Sequence, residues 1–252
     1  MDFAVRWTLT PDQFALAWQR IDGDRIPYPL AVRLSARDSV ERAAQLPGLT
    51  EWSETCLDPD LEAALRILAR PAVLIEVFGE YGADAVRVLG AASGQVTVVA
   101  AQRPGAAADR GGDVRLFVGN TKSFAARVVS LLPENVPGAQ PRRTAPLDRV
   151  REDSRDLVTV PVAGPSTTAR MRRLLKQPRH GIGQIVVSAR RADDTVRPLG
   201  VLCWMDVVDD GRYVVRTRKD VDILGVTAET FAAQLRPIVT AAERLVAEND
   251  EW

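Results

Sequence analysis

The chain has a single histidine, His180, and only two cysteines, Cys56 and Cys203. One histidine cannot build the usual histidine-based zinc centre, and two distant thiols give neither a disulfide framework nor metal-ligand spacing. Both cysteines have apolar sequence neighbours, so buried free thiols are expected. Neither sign of charge dominates: Lys and Arg number 33 together, and so do Asp and Glu. That balance argues against a general nucleic-acid binder, which carries a basic surplus. No apolar run approaches the ~18 residues of a membrane helix, and the opening MDFAVRWTLTPDQF has no charged region followed by an apolar stretch. These absences lead to the expectation of a cytoplasmic protein with no nucleic-acid partner and no membrane insertion.

What the chain does have is 252 residues with 46% hydrophobic content, enough for a sizeable core. Ala4 to Leu9 reads as a short strand. Thr10-Pro11 then starts a helix, with Thr10 as N-cap and Pro11 at the first helical position. Leu30 to Leu34 reads as a second strand, and Ser39 to Leu46 as a short helix ended by Pro47-Gly48. Asp58-Pro59 opens a helix in which Leu61, Ala64, Leu65 and Leu68 form an amphipathic stripe. Runs at Val73–Phe78, Ala85–Leu89, Gln95–Ala101 and Val114–Val118, separated by glycine turns, predict an antiparallel meander. Ser123 to Leu132 is a helix.

Residues 133–165, rich in proline and mixed charge, read as a connection. Ser166 to Lys176 is then a helix. Strands follow at Gln184–Arg190, Leu199–Val207 and Tyr213–Thr217, with a short apolar piece at Val221–Leu224 and Asp209-Asp210-Gly211 as a hairpin turn. Thr227 caps a last helix to about Glu248, which Pro237 should kink or split.

The two parts of the chain repeat one order of elements. Leu65–Pro71 parallels Arg172–Pro178, and Phe124-Ala125-Ala126 parallels Phe231-Ala232-Ala233, both at a spacing of 107 residues. A duplicated unit follows, with halves at about 1–132 and 166–252 in a single domain 1–252. The predicted fold is α+β: a quasi-two-fold pair of units, a mostly antiparallel sheet, and helices packed on it.

No catalytic constellation emerges. Gly181-Ile182-Gly183 stands after a helix and before a strand, whereas a phosphate loop needs strand, loop, then helix, and the third glycine position is Val186. The pair is therefore expected to turn the chain, with His180 a surface or helix-end residue. The pairs Asp58/Asp60, Asp193-Asp194 and Asp209-Asp210 fall in turns or helix starts, where Asp serves the backbone. Arg142-Arg143 and Arg190-Arg191 read as solvated faces, and Trp252 as the most exposed tryptophan. No enzyme, cofactor or metal is expected.

The order Gly181-Ile182-Gly183-Gln184, Val186 to Arg190, Leu202-Cys203-Trp204-Met205-Asp206, then Gly211-Arg212-Tyr213-Val214-Val215 resembles the G-x-G-Q … W-x-D … G-R-Y-x-v signature of the EspG family. The opening is also similar: Trp7-Thr8-Leu9-Thr10 with Phe14 and Trp18, Pro29-Leu30-Ala31-Val32, and Leu57-Asp58-Pro59-Asp60-Leu61 through Arg70-Pro71. The chain departs at Ile185, where the family often has an aromatic residue. The resemblance implies a quasi-two-fold α/β fold and a cytosolic chaperone of actinobacterial type VII (ESX) secretion. It implies a PPE protein of a PE–PPE heterodimer as partner, held by an apolar helical tip, kept soluble and directed to export. Family docking uses the central sheet and the C-terminal helical region. Phe231, Leu235, Ile238 and Val239 are the candidate contacts, with core packing as their other role. A non-catalytic ligand-binding or regulatory module is the alternative.

Overall fold

The computed structural model describes residues 5–21, 23, 25–107, 109–151 and 166–250. The elements run β1 (Trp7–Leu9), α1 (Pro11–Arg20), α2 (Ser39–Cys56), α3 (Pro59–Ala69), β2 (Val73–Tyr81), β3 (Asp84–Ser93), β4 (Val96–Gln102), β5 (Val114–Asn120) and α4 (Thr121–Val129). They continue with β6 (Arg143–Pro146), α5 (Leu147–Arg151), α6 (Thr167–Leu175), β7 (Arg179–Arg190), β8 (Val196–Val207), β9 (Gly211–Thr217), β10 (Asp220–Gly225) and α7 (Ala228–Asp250).

Local chemistry sets most helix starts. At α1 the Thr10 hydroxyl accepts from the Gln13 N–H, while Gln13 Oε1 accepts from the Thr10 N–H, a reciprocal cap with Pro11 inside it. Asp38, Asp58, Asn120 and Ser166 cap α2, α3, α4 and α6 through side-chain oxygens that accept first-turn N–H groups, and Thr227 Oγ1 accepts from the Thr230 N–H at α7.

The strands form one ten-stranded sheet in the order β1-β5-β4-β3-β2-β7-β8-β9-β10-β6. Every pairing between these strands is antiparallel. The two halves meet at β2 and β7, where Val73–Tyr81 pair with Ala189–Gly181. Outward from that seam each half repeats itself: β3, β4, β5, β1 on one side and β8, β9, β10, β6 on the other. This is the quasi-two-fold α+β architecture.

Alternation along each strand separates two faces. Ile75, Val77, Ile185, Val187, Leu202 and Trp204 turn to one face, where Phe124 and Val128 of α4 and Phe231, Leu235 and Val239 of α7 cover them. On the opposite face α1 and α3 cover Leu89, Ala91, Val98 and Leu116, at the N-terminal end of the sheet. At the other end Met171 and Leu174 of α6 cover Met205, Val207, Tyr213, Val221 and Ile223.

Several expectations are corrected. Residues 30–34 form no strand: Gln102 Oε1 accepts from the Ala31 N–H, and its amide donates to the Ala31 and Gly112 carbonyls, so a side chain takes the bonds a neighbouring strand would take. Helix α2 runs through Pro47 to Cys56. It is exposed along nearly all its length, so the carbonyl freed by the proline can face water. Cys56, at the end of that exposed helix, is exposed, and Cys203, on β8, is half-buried, where two buried thiols were expected. Helix α7 is not split by Pro237. Within the segment read as a connection, Arg143–Pro146 join the sheet against β10, so the second half begins at β6, as the first begins at β1. Residues 152–165 and Trp252 lie outside the described residues.

The glycine pair is corrected as well. Gly181 and Gly183 lie inside β7, and neither has positive φ; among the described residues the glycines that do are Gly82, Gly94 and Gly211. The register shows what happens there. Arg179 pairs with Val207 and Gly181 with Asp206, so two steps on β7 face one step on β8, and exposed His180 is the extra residue of a bulge. The bulge also resolves the repeat. A spacing of 107 would match Val77 with Gln184, which faces the other way; one inserted residue matches it with Ile185, which shares its face.

Candidate partner-binding face

The helices leave one part of the sheet bare. Between the α1–α3 layer, which reaches Leu74, and the α5–α6 layer, which reaches Met205 and Val207, no described helix covers the middle of the second face of β2, β7 and β8. The register arranges that strip in rows: Glu80, Ile182; Phe78, Gln184, Cys203; Glu76, Val186, Val201. Adjacent positions in a row lie about 5 Å apart, so the strip is roughly 10–15 Å across. Ile182 is 36% and Val201 42% exposed, while Phe78, Val186, Gln184 and Cys203 are half-buried.

Tyr28, 55% exposed, stands edge-on to Phe78 with ring centroids 5.1 Å apart and planes at 69°. Next to it a groove of about 340 Å³ is lined by Phe78, Gly79, Glu80, Ile182, Gly183, Gln184 and Cys203. Burial pushes the Cys203 thiol up, away from the reactive thiolate. Burial also raises the Glu76 carboxyl. The strip is therefore a shallow surface with Glu76, Glu80 and Gln184 set among apolar residues, suited to receive a largely apolar surface.

The EspG family model matches residues 10–237. The chain belongs to the EspG family. Among solved structures it is similar to the Mycobacterium tuberculosis type VII secretion system chaperone EspG5, determined in complex with a PE25–PPE41 dimer. The two share 16% sequence identity over 94% of this chain and 96% of that one, with a TM-score of 0.62, which establishes a shared fold. No curated protein matches the chain.

In this EspG-family chain the four residues expected to touch a partner are buried. Phe231 and Leu235 have no exposed surface, Val239 has 2% and Ile238 8%. They form the side of α7 turned to the sheet, and Ile238 Cγ2 lies 2.7 Å from where a Cβ on Gly200 would stand. A partner meeting the molecule in this conformation cannot reach them. The strip's residues were missed in the sequence because its apolar positions fall in the same Val- and Ile-rich runs as those beneath the helices. The only signal was polar residues recurring on one side of β2, Glu76 and Glu80, with Gln184 beside them on β7.

The remaining polar groups of interest serve structure. Asp193 accepts from Thr195 and then Arg197, and Asp194 from Arg190 and Arg70, which hold both carboxyls below their usual range and keep the turn. Arg142 is bound through two nitrogens to Asp222 at 2.9 and 2.8 Å, a partner its reading as a solvated residue lacked. Buried Asp206 and Arg212 form a two-bond pair at 2.7 and 2.8 Å. Among the described residues no three His, Cys, Asp or Glu converge as metal ligands, and no helix is long and apolar enough to cross a membrane.

A second concavity of about 1080 Å³ lies where β2, β3 and β7 end beside the C-terminal half of α7. Arg70, Arg190, Arg191 and Arg244 line it with Asp194 and Glu243. Arg191 Nε and Glu243 Oε1 are buried there with no hydrogen-bond partner.

Proposed function

We propose that the chain is a cytosolic chaperone of a type VII (ESX) secretion system. It binds the PPE member of a PE–PPE heterodimer, or a PPE-like helical substrate, through the bare strip of β2, β7 and β8. The observation that carries this is the exposed apolar strip at the centre of an EspG-family sheet, flanked on both sides by helical layers. The solved EspG5 structure with its PE25–PPE41 dimer supports the class of partner. The strip caps an apolar helical tip of the client, which keeps the client soluble and marks it for export; no chemistry is performed on it.

The experiment is co-expression with each PE–PPE-like pair of the source genome, followed by size-exclusion chromatography. A stoichiometric complex is expected, with a client that precipitates when made alone. Ile182→Arg and Val201→Arg are expected to abolish the complex while leaving thermal stability within a few degrees of the parent. A client that stays soluble and elutes separately from the unaltered chain contradicts the reading.

The second reading, a ligand-binding module, draws support from the polar cleft beside α7, where unpartnered Arg191 Nε and Glu243 Oε1 face about 1080 Å³ of space. A thermal shift with small anions that vanishes in Arg191→Ala would favour it.

A further inference from the structure

Glu76 stands inside the strip, whereas Glu80 lies at its margin and is exposed. Its neighbours on that face are all apolar: Leu74 and Phe78 along β2, Leu89 across on β3 and Val186 across on β7. No hydrogen bond or ion pair reaches its carboxylate among the described residues. The charged or titratable groups nearest the same spot are Tyr28, which packs edge-on against Phe78, and Arg87, which pairs with Phe78 from β3; Tyr28 lies in the field of both Glu76 and Arg87.

Interface centres are depleted of charge, because docking strips the last water from a carboxylate and leaves it costly unless something replaces that water. Half-buried, Glu76 has already lost part of its hydration in the free protein. A partner that is apolar at this point would complete the loss without compensation. A partner with an ammonium or guanidinium there would offset it with a charge-assisted hydrogen bond in a low-dielectric surround.

We propose that Glu76 is a specificity-determining residue of the partner-binding face: it receives a lysine or arginine carried by the docking tip of the helical partner. This rests on the reading of the strip as the docking surface. The pair Glu76–cation selects among clients whose tips share an apolar outline, since a client lacking the cation leaves a buried carboxylate unpaired.

Replacement of Glu76 by an apolar residue decides the matter by its sign. Affinity for the PE–PPE-like pair that co-purifies with the chain is measured by titration calorimetry for the parent, Glu76→Gln, Glu76→Leu, Glu76→Lys and Ile182→Arg. Circular dichroism checks the fold of each. With a cation opposite, Glu76→Gln and Glu76→Leu bind roughly tenfold or more weakly, Glu76→Lys is undetectable, and changing the partner's basic residue to Glu restores binding to Glu76→Lys. If Glu76→Leu binds as tightly as the parent or more tightly, the carboxylate faces no cation and the proposal is overturned. If Ile182→Arg binds like the parent, the strip is not the docking surface, and the broader reading of the face fails with it.

Discussion

A Cβ atom on Gly183 would lie 2.1 Å from Cη2 of Trp204 and 2.6 Å from the Phe78 carbonyl oxygen. The indole of Trp204, 1% exposed, thus occupies the space over the glycine. Across the central seam, Gly79 pairs with Gly183, and its Cβ would meet the Gly183 Cα at 2.6 Å and Trp204 Cζ2 at 3.0 Å. Two facing glycines clear the bed for one tryptophan where the halves join. These glycines are needed for close approach and not for a turn.

Gly183→Val is therefore expected to destabilise the protein by about 3 kcal/mol or more, because backbone and a packed ring must both move. His180→Ala, at an exposed bulge position, should stay within about 0.5 kcal/mol of the parent. Urea denaturation followed by tryptophan fluorescence measures both. Trimming the ring separates the causes: Trp204→Leu should recover part of the loss caused by Gly183→Ala, and no recovery would mean that the ring is not the obstacle.

The buried pair Asp206–Arg212 predicts asymmetric mutant behaviour. With Arg212 5% exposed and Asp206 0%, removal of either partner leaves an uncompensated buried charge. Arg212→Leu alone should cost about 3–5 kcal/mol, whereas the Asp206→Leu, Arg212→Leu double variant should recover much of that. A double variant no better than the single one would show that the pair is needed for a unique packing.

Tyr213 gives an alkaline limit. Its hydroxyl donates to Asp210 Oδ2 at 2.6 Å and accepts from the Gln140 N–H at 2.9 Å, tying residues 138–140 onto β9. Burial first, and then the bond to Asp210, push its pKa up to about 12. The folded state thus holds the proton more tightly than the unfolded chain, whose tyrosine titrates near 10. The stabilisation is whole below about pH 10 and is lost as pH rises toward 12. Tyr213→Phe should flatten this loss between pH 10 and 12 while lowering neutral stability by about 1–2 kcal/mol. Thermal melts across that window provide the check.

The two helix-side readings of the sheet also separate by experiment. Leu235→Ala, fully buried under α7, should cost about 2–5 kcal/mol and affect client binding only through unfolding. Ile182→Arg should leave the melting curve nearly unchanged and remove client binding. Melting temperature and complex yield, measured together, distinguish a core residue from a surface one.

The sequence alone determined the elements whose signals are local. Thr10, Asp58 and Thr227 marked helix starts because a side-chain oxygen meets an orphan N–H two or three residues on. The Val- and Ile-rich runs marked seven of the strands because burial on one or both faces demands them. The repeated order of elements also fixed the quasi-two-fold fold class. What only the tertiary structure decided depends on partners distant in sequence. Leu30–Leu34 lost its strand to the side chain of Gln102, and Arg143–Pro146 became a strand because β10 offered an edge. The bulge at His180 exists only relative to β8. The candidate site shows the same division. Phe231, Leu235, Ile238 and Val239 are apolar on one side of a helix, and a sequence cannot say whether that side meets its own sheet or a partner. Burial in the folded chain decides for its own sheet, and leaves Phe78, Ile182 and Val201 on the face that the helices do not reach.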